Sequence, residues 1–304
     1  MRLHFLGTGA GVPAKERNVS AVVLKQINKN GDSWLFDCGE ATQHQILHTS
    51  IKPRRINKVF ITHLHGDHIF GLPGFLGSRS FQGGTGPLTV YGPEGIKEYI
   101  ETSLRLSKTY LKYELSVIEV SDGEEYIEDG FTISIRQLDH VIPSFGYRLV
   151  EQDQQGKLDS EKLQSIGIEP GPIYKQLKNG EKVMWKGQLI DGHDFLDEPK
   201  KGKVIAIAGD TRKCAAVADL AYKADLLIHE ATFGSENEKL AKDYYHSTAA
   251  QAAEIAKVAG VKTLWLTHIS ARYADGKETE LLMQAKEIFP ETYIAKDLHE
   301  TDIN

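Results

Sequence analysis

INKVFITHLHGDH, residues 56–68, is an apolar run that ends on three histidines and an aspartate packed into His63-Leu64-His65-Gly66-Asp67-His68. Its first half has the β-branched, apolar character of a strand, so the polar cluster falls directly at a strand end. On a helix, side chains two residues apart point away from each other, and His63 and His65 could not converge; a turn flexed at Gly66 allows it. Imidazole nitrogens suit zinc, and a carboxylate can bind one ion or bridge two. This stretch therefore predicts a metal site at the end of a strand.

Three further strand-like runs end on histidine or carry one near the end: FTISIRQLDH at His140, ADLLIHE at His229 and VKTLWLTH at His268. A fourth, KVIAIAGD, ends at Asp210. Ligands of α/β sheets bind at the carboxyl ends of strands, where loops converge on one edge. One shared site for these residues is the economical reading.

SAVVLKQI (20–27), WLFDC (34–38) and LTVYG (88–92) add strands, and NKNGDS (28–33) joins the first two as a hairpin. Helical patterns fall at 93–106, 214–222, 247–259 and 277–289; Ser247-Thr248 can cap the third and Gly260 can end it. Hairpin and crossover strands with helices between them predict an α/β sandwich of mixed sheets covered by helices. The segment 152–203, rich in Gly, Pro, Lys and Asp, breaks the pattern and reads as a long loop, functional or disordered, inserted in one domain spanning 1–304.

The 304 residues are 40% hydrophobic and 26% charged, enough for a large core and unlike a disordered or fibrous chain. The opening MRLHFLGTG lacks a signal pattern, and no run of about 18 apolar residues occurs, so no membrane partner is expected and the location expected is cytoplasmic. Cys38 and Cys214, far apart and outside any CxxC spacing, suit free thiols in a reducing compartment. A net charge of -6 argues against indiscriminate nucleic-acid binding, so a polyanion would need local basic patches.

HLHGDH, with His140, Asp210 in AGDTR and His268, resembles the metallo-β-lactamase superfamily over nearly the whole chain. The resemblance implies an αβ/βα four-layer sandwich and two Zn2+ ions per subunit, Mn2+ being the alternative. It places His63, His65 and His140 on one ion, Asp67, His68 and His268 on the other, and Asp210 between them. The loop Pro13-Ala14-Lys15-Glu16-Arg17-Asn18, the run His229-Glu230-Ala231-Thr232, His246-Ser247-Thr248 and the FLGTG opening narrow the likeness. Together with the insertion they resemble the ribonuclease Z family of tRNA 3′-processing endoribonucleases.

That resemblance implies precursor tRNA as partner, a homodimer, and hydrolysis in which Asp67 accepts a proton from water. Because His229 and Glu230 adjoin on a strand, they face opposite ways, and only one can enter a given site. Glu230 is the better candidate: a carboxylate bonded to an imidazole favours its protonated form, which suits His246 as general acid. His229 is left unassigned, burial or a hydrogen bond behind a ligand being favoured over metal binding. Lys15, Arg17 and Asn18 are expected to sense the tRNA 3′ end. Gly171-Pro172, with Lys175, Lys178 and Lys182, is expected to belong to a flexible arm, residues 152–203, that clamps the body of tRNA; Tyr174 and Trp185 could pack on sugar or base. The run Lys52-Pro53-Arg54-Arg55 with Lys58 reads as a solvated turn.

Since thiolesters, sulfates and phosphodiesters are all cleaved on this scaffold, another hydrolase of the same fold stays open on the residues alone. A non-catalytic RNA-binding module is the other alternative, and the full set of candidate ligands, Asp67 included, argues against it.

Overall fold

A computed structural model describes residues 1–28 and 30–303. The strands in chain order are β1 Arg2–Gly7, β2 Ala21–Lys25, β3 Ser33–Phe36, β4 Ile56–Phe60, β5 Leu88–Gly92, β6 Leu115–Glu119, β7 Glu125–Glu128 and β8 Phe131–Leu138. They continue as β9 Ser144–Glu151, β10 Lys182–Trp185, β11 Gln188–Asp191, β12 Val204–Ile207, β13 Leu226–Glu230, β14 Thr263–Thr267, β15 Thr292–Ile294 and β16 Glu300–Asp302. Two seven-stranded sheets result, ordered β16-β1-β2-β3-β4-β5-β6 and β15-β14-β13-β12-β9-β8-β7. Within them β3 to β6 run parallel, as do β12 to β15, while the hairpin strands at the other side of each sheet are antiparallel.

Alternation along each strand builds the layers. Trp34, Phe36, Phe60 and Tyr91 from the first sheet meet Phe131, Tyr147, Ile207 and Ile228 from the second in one aromatic core. The intervening residues face helices: Leu35 and Val59 cover Phe75 and Leu76, and Leu227 and Leu264 cover Ala252, Ala256 and Leu281. Small alanines on the helix Ala249–Ala259 let it lie close to its sheet, and the helix begins with a capping box at Thr248 and Gln251 and ends at Gly260, whose φ of 66° a β-carbon would disfavour. The sandwich expected from the residues is the one observed.

All eight strand-like runs read in the sequence contain strands. The hairpin from β2 to β3 forms, though Lys29 in its turn lies outside the described residues. Strands β1, β6, β7, β9, β15 and β16 were not expected; several are short or mixed in polarity, and only their neighbours in the sheet stabilise them. Lys58 departs from the solvated-turn reading: it is buried, with its ammonium 3.1 Å from Glu128 and 3.0 Å from Asp129.

The chain divides into two compact units, Met1–Leu149 with Val204–Asn304, and Val150–Lys203. Where the sequence reads as a long inserted loop, the second unit has regular elements. It contains helices Ser160–Ser165 and Pro172–Lys178 and a hairpin of β10 and β11 closed by Lys186 and Gly187, both at positive φ. Leu163, Ile168 and Leu177 form its small core. Tyr174 and Trp185 are half-buried against that core. The elements escaped the sequence reading because each is a turn or two long, too short for a periodic signal.

Candidate metal centre

The parallel strands deliver the site. His63 follows β4, Asp210 follows β12, Glu230 ends β13 and His268 follows β14, so their side chains meet at the carboxyl edges of both sheets. The short helix Gly66–Ile69 starts within HLHGDH, with His65 at its N-cap in extended conformation. That break between extended and helical backbone brings His63 Nε2 to 3.1 Å from His65 Nδ1, which is in turn 3.2 Å from His140 Nε2. Nitrogens sharing a tetrahedral zinc stand about 3.3 Å apart, given bonds of about 2.0–2.1 Å. On the other side, His268 Nε2 lies 3.2 Å from both Asp67 Oδ2 and Asp210 Oδ2. His68 Nε2 lies 3.5 Å from the same two oxygens. Four overlapping groups of potential ligands result: His63 with His65 and His140; His63 with His68 and Asp210; Asp67 with His68 and His268; and Asp210 with His246 and His268.

Four of the five inward imidazoles, all but His65, are aimed by a bond on the far side of the ring. Thr62 donates its hydroxyl to Asp37 Oδ2 at 2.9 Å, leaving its oxygen to accept from His63 Nδ1 at 3.0 Å. Asp37 Oδ2 accepts from His68 Nδ1 at 2.7 Å, and the Tyr245 carbonyl accepts from His140 Nδ1 at 2.9 Å. Thr232 donates to Glu230 Oε2 at 2.7 Å and accepts from His268 Nδ1 at 2.8 Å. In all four rings the Nε2 lone pair is left pointing inward, the tautomer a metal requires. His68 Nε2 is buried with no hydrogen-bond partner among the described residues, an orphan that a cation between Asp67 and Asp210 would satisfy. The residues thus fit divalent metal.

Charge tells the same story. Burial and the surrounding imidazoles hold His63 well below the usual imidazole range, keeping it neutral as a ligand must be. Burial would raise Asp67 and Asp210, but the neighbouring histidines outweigh it and drive both carboxyls well below their ordinary values. Burial would lower His68 as well, yet Asp210 and Asp37 raise it far above the ordinary value, which marks the space between these carboxylates as one that demands positive charge.

Glu230 is almost fully buried and accepts five bonds: Oε1 from Thr211 N–H at 3.0 Å and His246 Nδ1 at 2.8 Å, Oε2 from Thr232 N–H, Thr232 Oγ1 and Ser247 N–H at 3.2, 2.7 and 3.1 Å. Burial would lower His246; Glu230 overrides it and raises the imidazole to about 9. His229 points to the opposite, helix-covered face, buried, its Nδ1 donating to the Glu230 carbonyl at 2.7 Å.

The chain leading into the loop 13–18 touches this centre. Gly11 N–H donates to Asp67 Oδ2 at 2.8 Å, and Ala10 N–H to the Ile269 carbonyl at 3.1 Å. Lys15 is exposed on the loop, whereas Arg17 and Asn18 are half-buried and hydrogen-bonded within the protein. Arg17 donates to Thr8 Oγ1 and the Ala295 carbonyl, both at 2.6 Å, and Asn18 donates its side chain to the Glu40 carbonyl at 2.8 Å and its N–H to Asp297 at 2.6 Å. Burial makes such internal partners the favourable ones, so both residues hold the loop's shape. In the second unit, Gly171 precedes Pro172 at the start of helix Pro172–Lys178; Lys175 and Lys178 are exposed, and Lys182 lies 3.3 Å from Asp191.

Sequence reasoning missed Asp37, Thr62 and Thr232. Asp37 was findable, since WLFDC carries it at a strand end as the other runs carry theirs. Thr62 carries no signal, and Thr232 stands only as a member of the run 229–232, because their neighbours in space make them part of the site.

Two helix-covered sheets with histidines and aspartates gathered at their strand ends define a metallo-β-lactamase-fold protein built to use divalent metal. The metallo-β-lactamase fold protein YhfI of Bacillus subtilis superposes with a TM-score of 0.69 at 20% identity, over 99% of each chain. Ribonuclease Z of Bacillus licheniformis is 57% identical over 100% of this chain and 99% of its own, and that of Bacillus cereus strain AH820 is 57% identical over 98% of each. The chain belongs to the ribonuclease Z family. The short form of human tRNase Z superposes with a TM-score of 0.71 at 32% identity over all of both chains. Residues 1–156 also match the family model described as Anti-Pycsar protein Apyc1, a span that ends before Asp210, Glu230, His246 and His268.

Proposed function

We propose that this chain is an endoribonuclease that cuts precursor tRNA after the acceptor stem and releases the 3′ trailer, with two zinc ions per subunit and manganese as the alternative. The observation that carries this reading is the Glu230–His246 pair set beside a complete double set of ligands, in a chain 57% identical along its length to ribonuclease Z. His63, His65 and His140 would hold one ion, Asp67, His68 and His268 the other, with Asp210 shared. When bound, the ions supply Lewis-acid stabilisation of the scissile phosphate and activation of water at neutral pH. Asp67 accepts a proton from the attacking water. Glu230 holds His246 Nδ1, so the free Nε2 donates a proton to the departing 3′ oxygen.

Lys15 reaches toward the RNA 3′ end from a loop that Arg17 and Asn18 shape. Gly171, Pro172, Lys175, Lys178 and Lys182 form the arm's contact with the body of tRNA, and a cytoplasmic homodimer has one subunit's arm serve the other's site. No helix of the described residues is long and apolar enough to cross a membrane.

The test is to incubate the purified protein with a trailer-bearing tRNA and map both new ends. Attack by water leaves a 3′-hydroxyl on the tRNA and a 5′-phosphate on the trailer. A 2′,3′-cyclic phosphate, or no cut, refutes the proposal.

A further inference from the structure

A space of about 340 Å³ opens beside His246, walled by Asp139, Arg212, Lys213, Glu238, Lys242 and Gln251. Small-ligand sites occupy about 300–1,000 Å³, so one nucleotide is an occupant of suitable size. Most of the polar groups around it are already committed. Arg212 is forked onto Asp139 by bonds of 3.1 and 3.0 Å and lies 4.0 Å over the Tyr245 ring. Lys213 donates to Glu254 at 2.5 Å, and Gln251 to Glu238 at 3.1 Å. Lys242, exposed on the helix Glu238–Asp243, has no ion-pair partner among the described residues. It is the one cation of this wall whose charge is available to a ligand.

His246 fixes which nucleotide belongs here. Its Nδ1 is held by Glu230, so Nε2 meets the leaving oxygen, and the nucleotide that carries that oxygen has to lie against the same ring. We infer that this space receives the nucleotide whose 3′ oxygen departs, the last one of the tRNA product, and that Lys242 binds the phosphate on that nucleotide's 5′ side. The inference rests on the endoribonuclease reading above. Lys242 touches neither the scissile phosphate nor the water; it sets where the cut falls by anchoring the phosphate one position upstream.

A double-mutant cycle between protein and RNA tests it. Precursor tRNA is made with a single uncharged methylphosphonate at that upstream phosphate and compared with unmodified RNA, on the wild-type chain and on Lys242→Ala. Either change alone should raise KM about fivefold, the scale of an exposed ion pair, and the two together should raise it no further than one. Lys242→Arg should restore most of the affinity for unmodified RNA, and the salt slope of binding should fall by about one phosphate in Lys242→Ala. Losses that multiply overturn the inference, as does Lys242→Ala binding unmodified RNA like wild type. If the wild-type chain leaves precursor tRNA uncut, the endoribonuclease reading itself fails and this one with it; cutting with a multiplicative cycle removes this one alone.

Discussion

Replacing Asp37 by Asn tests whether a residue that touches no metal governs metal affinity. Asp37 is buried, and both oxygens are in use: Oδ1 accepts from Thr62 N–H at 2.8 Å, and Oδ2 accepts from His68 Nδ1 at 2.7 Å and Thr62 Oγ1 at 2.9 Å. An amide has one acceptor oxygen where the carboxylate has two. Turned one way, its NH₂ faces the His68 N–H; turned the other, it faces the Thr62 N–H. The first conflict is relieved only if His68 moves its proton to Nε2, the nitrogen that faces Asp67 and Asp210, and so loses its inward lone pair. Leaving one buried donor unsatisfied costs about 1–3 kcal/mol, and loss of such an outer partner weakens metal binding by about 10- to 100-fold. Competition with a chromophoric chelator, well below the unfolding transition, reads the affinity directly. Affinity within about twofold of wild type in a folded Asp37→Asn chain would refute the reasoning, because it would mean His68 is aimed without its carboxylate.

Three further outcomes are expected. His246→Ala should slow precursor-tRNA cleavage by about 10²- to 10⁴-fold while sparing hydrolysis of bis(p-nitrophenyl) phosphate, whose leaving group needs little protonation; equal losses on both substrates rule out the acid role. Excision of residues 152–203 with a short Gly/Ser join should leave small-phosphodiester hydrolysis nearly intact and collapse tRNA cleavage through weaker, salt-sensitive binding; loss of both activities, or of neither, contradicts a remote clamp. Glu300 is held down to about 2 chiefly by Lys25 at 2.6 Å, with His4 and Arg2 adding to the effect. Its folded value lies below the unfolded one, so its contribution to stability is present above the unfolded value near 4.5 and is lost as pH falls through 2. Glu300→Gln should therefore lower the urea midpoint at pH 7, by a margin that narrows between about pH 4.5 and 2; a constant margin contradicts the pairing.

The strands around HLHGDH, the strand-end positions of His140, Asp210, Glu230 and His268, and the opposed faces of His229 and Glu230 were all legible in the linear chain. Each depends on an alternation or a spacing of a few residues, and such local geometry follows from backbone stereochemistry. Arg17 and Asn18 show where that legibility stops. In the linear chain they are polar residues of a charged loop, and only the return of residues 295 and 297 to that loop, nearly 280 positions later, gives them internal partners. The same holds for Asp37, Thr62 and Thr232, whose function is to aim rings that reach them through the fold, and for the arm, whose short elements form only because Leu163, Ile168 and Leu177 find one another. Residue type and local period determined which candidate ligands this protein carries and on which face of each strand they lie. Their aim, and which polar groups remain free for RNA, were decided by long-range packing, because a hydrogen bond is satisfied by whatever partner the tertiary structure brings within reach.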